Sequence, residues 1–212
     1  METDALIKTL ARDAGSRAVP LGRAWALALA LAVAAAAAVF LLTLGPRPDI
    51  AAAAQTLRFP FKFVVTLALA GSAGWAALRL SRPGADTRRG AAWLLAAPLL
   101  LLVAVGLELF AVPPAQWEAR LVGTNNLLCL VSIPFIGLGP LALFLAALRH
   151  GGPTRPGLAG AMAGLFAGGL AATFYAAHCP DDSPLFVATW YTGAVAILTL
   201  AGAVAGARFA RW

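Results

Sequence analysis

Long apolar runs alternate along the chain with short polar breaks. Six runs of about 20 apolar residues follow one another, at about 25–44, 59–80, 91–110, 126–148, 157–177 and 185–207. A hydrocarbon layer of roughly 30 Å needs about 20 such residues in an α-helix. Backbone groups inside lipid find no water, so each run must satisfy them itself by forming a helix. The pattern predicts an all-α membrane protein, a six-transmembrane-helix bundle over residues 24–212, preceded by a polar cytoplasmic segment at 1–23. The first run is longer than the roughly 7–15 apolar residues of a signal-peptide core, and a long polar stretch precedes it, so it reads as a retained span.

The breaks carry start and stop signals. GPRPD at 45–49 ends the first run with two prolines, and GGPTRP at 151–156 is a tight turn. Asn125 and Asn126 begin the fourth run, where Pro134 and Pro140 predict a kinked or locally unwound helix. In the fifth run Gly160, Gly164 and Gly168 share one face, and Gly202 and Gly206 repeat that spacing in the sixth. Faces of small residues let helices approach closely. The partner face is either in the same chain or in a second copy, which makes a homodimer through the glycine-rich faces one expectation. Lys62 stands near the outer end of the second run and is expected to snorkel to the interface. Glu108, at the outer end of the third, is expected at the interface as well.

Composition agrees with the pattern, at 61% hydrophobic and 12% charged residues. The net charge of +7 changes the picture only through its placement. Twelve of the sixteen Lys and Arg residues fall in the N-terminal tail, the second and fourth loops and the C-terminus. The other four (Arg47, Arg58, Lys62 and Arg120) fall on the opposite side. The positive-inside rule then puts both termini in the cytoplasm, N-in/C-in. Arginines beside apolar runs set topology and touch lipid headgroups, so no direct contact with nucleic acid is expected.

The candidate chemistry lies in one place. His178, Cys179, Asp181 and Asp182 form the densest polar cluster of the sequence, in HCPDDSP between the fifth and sixth runs. The topology puts Cys129, about one turn into the fourth span, on the same outer side. Imidazole and thiolate suit soft or borderline metals, and a neighbouring His⁺ raises the thiolate fraction of a cysteine. Cys129, Cys179, His178, Asp181 and Asp182, with Glu108, therefore make a candidate sensor of metal or oxidant. Cys129, Cys179 and His178 are the candidate ligands of a transient metal ion. The plainer reading of the same stretch is a capped turn: Pro180 breaks the fifth helix, and Asp182 or Ser183 caps the sixth with Pro184 at its first position. Neither P-loop, GxSxG, HExxH nor dinucleotide fingerprint occurs, so an enzyme with its own active site and a resident cofactor is not expected. A small ion transporter entered through His178, Cys179 and Glu108, or a structural subunit, remains as the rival reading.

The whole chain resembles a known family. TDALIKTLARDA at 3–14, PLGR before the first span, GPRPD after it and above all HCPDDSP…WY at 178–191 are similar to the NrsF-type membrane anti-sigma factors. The resemblance implies a protein that holds an extracytoplasmic-function sigma factor at the inner membrane and releases it under metal or oxidative stress. It also implies that Cys129 and Cys179 are the paired sensing cysteines and that residues 1–23 bind sigma. Within that segment Asp4 and Asp13 are the acidic candidates for a basic sigma surface, and Leu6, Ile7 and Leu10 the apolar anchors on one helix face.

Overall fold

The computed structural model describes residues 3, 4, 7, 8, 20–84 and 88–209. Among the described residues there are helices and no strands. Six helices are long and apolar enough to cross a membrane: α1 (Leu21–Thr43), α2 (Arg58–Leu80), α3 (Ala92–Ala111), α4 (Asn126–Leu148), α5 (Pro156–Ala176) and α6 (Pro184–Phe209). Connections are short, so successive helices run antiparallel. Leu21 and Phe209 consequently emerge at one end of the bundle, here called proximal, with the 81–84 and 149–155 loops. The links after α1, α3 and α5 meet at the distal end.

Residue size decides which helix is central. α5 packs against α6, α2, α4 and α1, while α3 leans chiefly on α2 and the start of α6. Of the apolar windows, 61% is buried in α5 but 11% in α3. Gly160 and Gly164 of α5 lie directly against the backbone of α6, where an added Cβ would strike the carbonyl oxygens of Gly202 and Leu198. Gly202 and Gly206 meet α5 in the same way. The glycine faces are thus consumed within one chain, and a homodimer would have to use other surfaces. Gly169, on another face of α5, gives the same access to Ala70 of α2. Because backbone and not a flexible side chain fills the space, Gly164→Val should prise α5 from α6 and cost about 3 kcal/mol. Thermal unfolding of the detergent-solubilised protein measures this, and an unchanged transition would contradict the packing.

Aromatic rings fill the proximal half. Trp25 of α1 stacks on Phe144 of α4 at 5.8 Å, and Phe144 on Phe166 of α5 at 4.2 Å. The Trp25 indole N–H donates to Ser81 Oγ at 3.2 Å, and the Gly152 amide donates to Ser81 O at 3.0 Å. One residue after α2 therefore ties the start of α1 to the α4–α5 turn. α4 continues as an α-helix through Pro134 and Pro140, so of the two alternatives, a kink or local unwinding, the unwinding does not occur. Each proline removes one backbone bond, and packing against α1, α5 and α6 holds the remainder in register.

Candidate distal sensing site

The site is organised by the seven residues from His178 to Pro184. α5 ends at Ala176, and the amides of His178 and Cys179 both reach back to Tyr175 O, at 2.9 and 3.0 Å. Pro180 then prevents a further helical turn. Ser183 restarts the helix: its Oγ accepts the Leu185 amide at 3.2 Å, with Pro184 in the first turn. The capped turn read from the sequence is present, with Ser183 rather than Asp182 as the cap.

Each polar group of this loop is engaged by a different helix. The His178 ring nitrogen Nδ1 lies 3.0 Å from Gly45 O, just beyond α1. A carbonyl only accepts, so Nδ1 carries the proton. Asp181 clamps the start of α4, accepting from the amides of Thr124 and Asn125 at 3.1 and 2.9 Å and from the Asn125 side chain at 3.2 Å. The turn before α4 can approach this closely because Gly123 has a left-handed backbone (φ 60°) and no Cβ to strike Phe186. Asp182 pairs with Lys62 of α2 and, at 3.0 Å, with Arg47. Ser183 donates to Glu108 of α3 at 2.7 Å. One loop thus holds the distal ends of all the other spans.

Two expectations about charged residues fail here. Lys62 does not snorkel: it is 1% exposed and turns inward, donating to Cys179 O at 2.8 Å besides pairing with Asp182. A partly buried carboxylate and a carbonyl within reach offer the ammonium direct partners, so it turns to them rather than outward. Glu108 is not an open interfacial carboxylate either. It is 4% exposed, lies 3.1 Å from Arg120 and 3.5 Å from Arg58, and accepts the Leu185 amide at 3.2 Å. It sits at the N-terminus of α6, where the helix dipole and unpaired amides favour a negative charge. Arg47 completes the belt, and its guanidinium beside Asp49 holds that carboxyl below the ordinary carboxylate range.

The structure brings Cys129 and Cys179 together. Both are fully buried free thiols in a single cluster with Ile133, Tyr175, Phe186 and Tyr191. Tyr175 and Tyr191 meet edge-on at 5.7 Å. Neither tyrosine was indicated by sequence reasoning, since an aromatic in an apolar run looks like core; only the WY pair in the family signature marked Tyr191. His178, Asp181 and Asp182 lie beside Cys179 in sequence but engage Gly45, Asn125 and Lys62. Among the described residues no three His, Cys, Asp or Glu side chains are arranged to hold a metal ion. Burial pushes the Cys179 thiol above its ordinary range, opposed by the Lys62 charge.

Of the candidate sigma contacts, Asp4 and Ile7 are helical and exposed, Ile7 by 56%. Leu6, Leu10 and Asp13 lie outside the described residues.

Comparison with known proteins supplies the remaining findings. A family model described as NrsF, negative regulator of sigma F, matches residues 10–212. The chain is 42% identical over 217 residues to the anti-sigma-F factor NrsF of Caulobacter vibrioides (strain NA1000 / CB15N), covering 100% of both chains. It is 33% identical over 217 residues to the probable anti-sigma-F factor NrsF of Azospira oryzae (strain ATCC BAA-33 / DSM 13638 / PS), again covering 100% of both. No solved structure matches.

Proposed function

The chain belongs to the NrsF family of negative regulators of sigma F, and from that premise we propose a specific mode of regulation. The family is one of regulators and not of enzymes. In our reading the six helices cross the bacterial inner membrane with the proximal end in the cytoplasm. Residues 1–23 sequester a sigma factor of the extracytoplasmic-function type. Oxidants or thiophilic metals that modify Cys129 and Cys179 at the distal end cause its release.

The observation that carries this reading is that both cysteines belong to one buried cluster, at the end of the bundle opposite Leu21 and Phe209. A sensor there needs a mechanical route to the proximal end, and α2 offers one. Lys62, near its distal end, holds Cys179 O and Asp182, and Ser81 at its proximal end holds Trp25, four residues into α1. A helix of 23 residues spans about 35 Å. Displacing the Cys179 segment would release Lys62 and alter the seat of α1, where the sigma-binding segment ends. Moving sigma from about 1% to 99% free requires the modified state to be favoured by roughly 5.5 kcal/mol.

The test is co-purification. Full-length protein should retain its cognate sigma factor through affinity and gel-filtration steps in detergent, and a variant lacking residues 1–23 should lose it. Retention undiminished by the truncation would move the sigma surface to the proximal loops and overturn this assignment.

A further inference from the structure

A slot of about 500 Å³ lies among α2, α3, α5 and α6. It exists because α3 leans chiefly on α2 and the start of α6 and stands off α5. Leu69 of α2, Leu101 of α3, Leu165 and Ala172 of α5 and Val195 of α6 form its walls. Thr192, Ala196 and Leu200, all exposed on α6, belong to its lining too, so the slot opens sideways from the bundle. Along α6 it runs from Val187 to Leu200, which is about 20 Å of helix. That length fits within a hydrocarbon layer of roughly 30 Å.

The lining decides what fills the slot. Ligand sites of this size form between the helices of bundles, where a few placed polar groups orient a polar ligand. Here those groups are spent on their own helices. Thr66 Oγ1 donates to Lys62 O at 3.0 Å, and Thr199 Oγ1 donates to Val195 O at 2.9 Å. The Tyr191 hydroxyl is buried out of reach of water. A water molecule needs several polar partners and finds none inside the slot. A charged or sugar-like ligand would lose its hydration without replacement. Voids of this size are foreign to a close-packed interior, so hydrocarbon is the filling that the chemistry admits. A volume of about 500 Å³ drawn out along Val187–Leu200 suits one extended chain rather than a compact molecule.

We infer that the slot is a binding site for one acyl chain of a membrane phospholipid, seated against the wall of the cysteine cluster. Ala172, Val187, Tyr191 and Val195 line the slot and also belong to that cluster. The inference rests on the reading that the six helices cross a membrane. In that setting the sideways mouth at Thr192, Ala196 and Leu200 faces lipid chains, and phospholipid is the source that lies directly outside it.

The experiment is photolabelling of the full-length protein in vesicles of phosphatidylethanolamine and phosphatidylglycerol. The vesicles carry a trace of phosphatidylcholine with a diazirine in the middle of one chain, and peptide mass spectrometry maps the adducts after irradiation. Adducts should form on Leu165 and Ala172 of the central helix α5, besides those on Leu102 and Val103, which are exposed on the outer face of α3. Ala196→Phe puts a ring into the slot from its exposed rim. It should abolish the α5 adducts and leave those on Leu102 and Val103 unchanged, which also establishes that the variant is inserted. Adducts on α3 with none on α5 would overturn the site and leave the membrane reading standing, whereas adducts on neither would overturn both. Labelling of α5 that persists in Ala196→Phe would overturn the inference too. So would labelling of α5 by a diazirine-bearing isoprenoid alcohol and not by the phospholipid.

Discussion

Lys62→Met loosens the distal end of the bundle by about 3–5 kcal/mol, the usual cost of removing one partner from a buried ion pair. Methionine keeps the volume and loses the charge, so packing along α2 is little disturbed. What is lost is the ion pair with Asp182 and the 2.8 Å bond to Cys179 O. Asp182 keeps Arg47 at 3.0 Å, which argues for the lower part of that range. The loss should be local. Hydrogen exchange of the Cys179 and Val187 amides should accelerate, while the Gly152 and Ser81 amides at the proximal end keep their protection. Adding Asp182→Asn should cost less than the two single substitutions together, because both remove the same Lys62–Asp182 pair. Additive costs, or an unaltered exchange pattern, would mean that Lys62 contributes nothing through this pair.

How far the sequence reached is clearest at these same residues. Helix positions followed from apolar run length and punctuation, and the span read at 126–148 coincides with α4. Pro184 with its preceding serine marked the start of α6 by local chemistry alone. Lys62 and Glu108 were misplaced for a shared reason. Hydropathy reports how deep a residue sits along a helix and not toward which neighbour it turns, and their partners lie over seventy residues away in the chain for Ser183–Glu108 and over a hundred for Lys62–Cys179. The glycine spacing of α5 and α6 showed that backbones would touch, but not whether the touching faces belonged to one chain. The likeness around HCPDDSP and WY named the family, which the matches over residues 10–212 established. Composition could not have done so, because any six-span protein shares it.

Cys129→Ser and Cys179→Ser should each leave the sigma factor bound when wild-type protein would release it. Serine nearly preserves the volume of these two fully buried side chains, so the resting bundle and its hold on sigma should persist. A hydroxyl, however, forms neither a disulfide nor a strong bond to a thiophilic metal, and such bonds are what supply a bias of several kcal/mol. A pair mechanism needs both sulfurs, so one serine should be as silent as two. In cells carrying a sigma-dependent reporter, exposure to oxidant or thiophilic metal should leave either single variant at its uninduced level. Release that survives in both variants would remove the cysteines from the mechanism and leave the ionic belt of Arg47, Lys62, Glu108 and Asp182 as the remaining sensing element. Silence in Cys179→Ser alone would reduce the pair to a single reacting thiol, with Cys129 as packing. Silence in both is the outcome that the shared burial of the two sulfurs, in the cluster where one loop holds the distal ends of the other spans, leads us to expect.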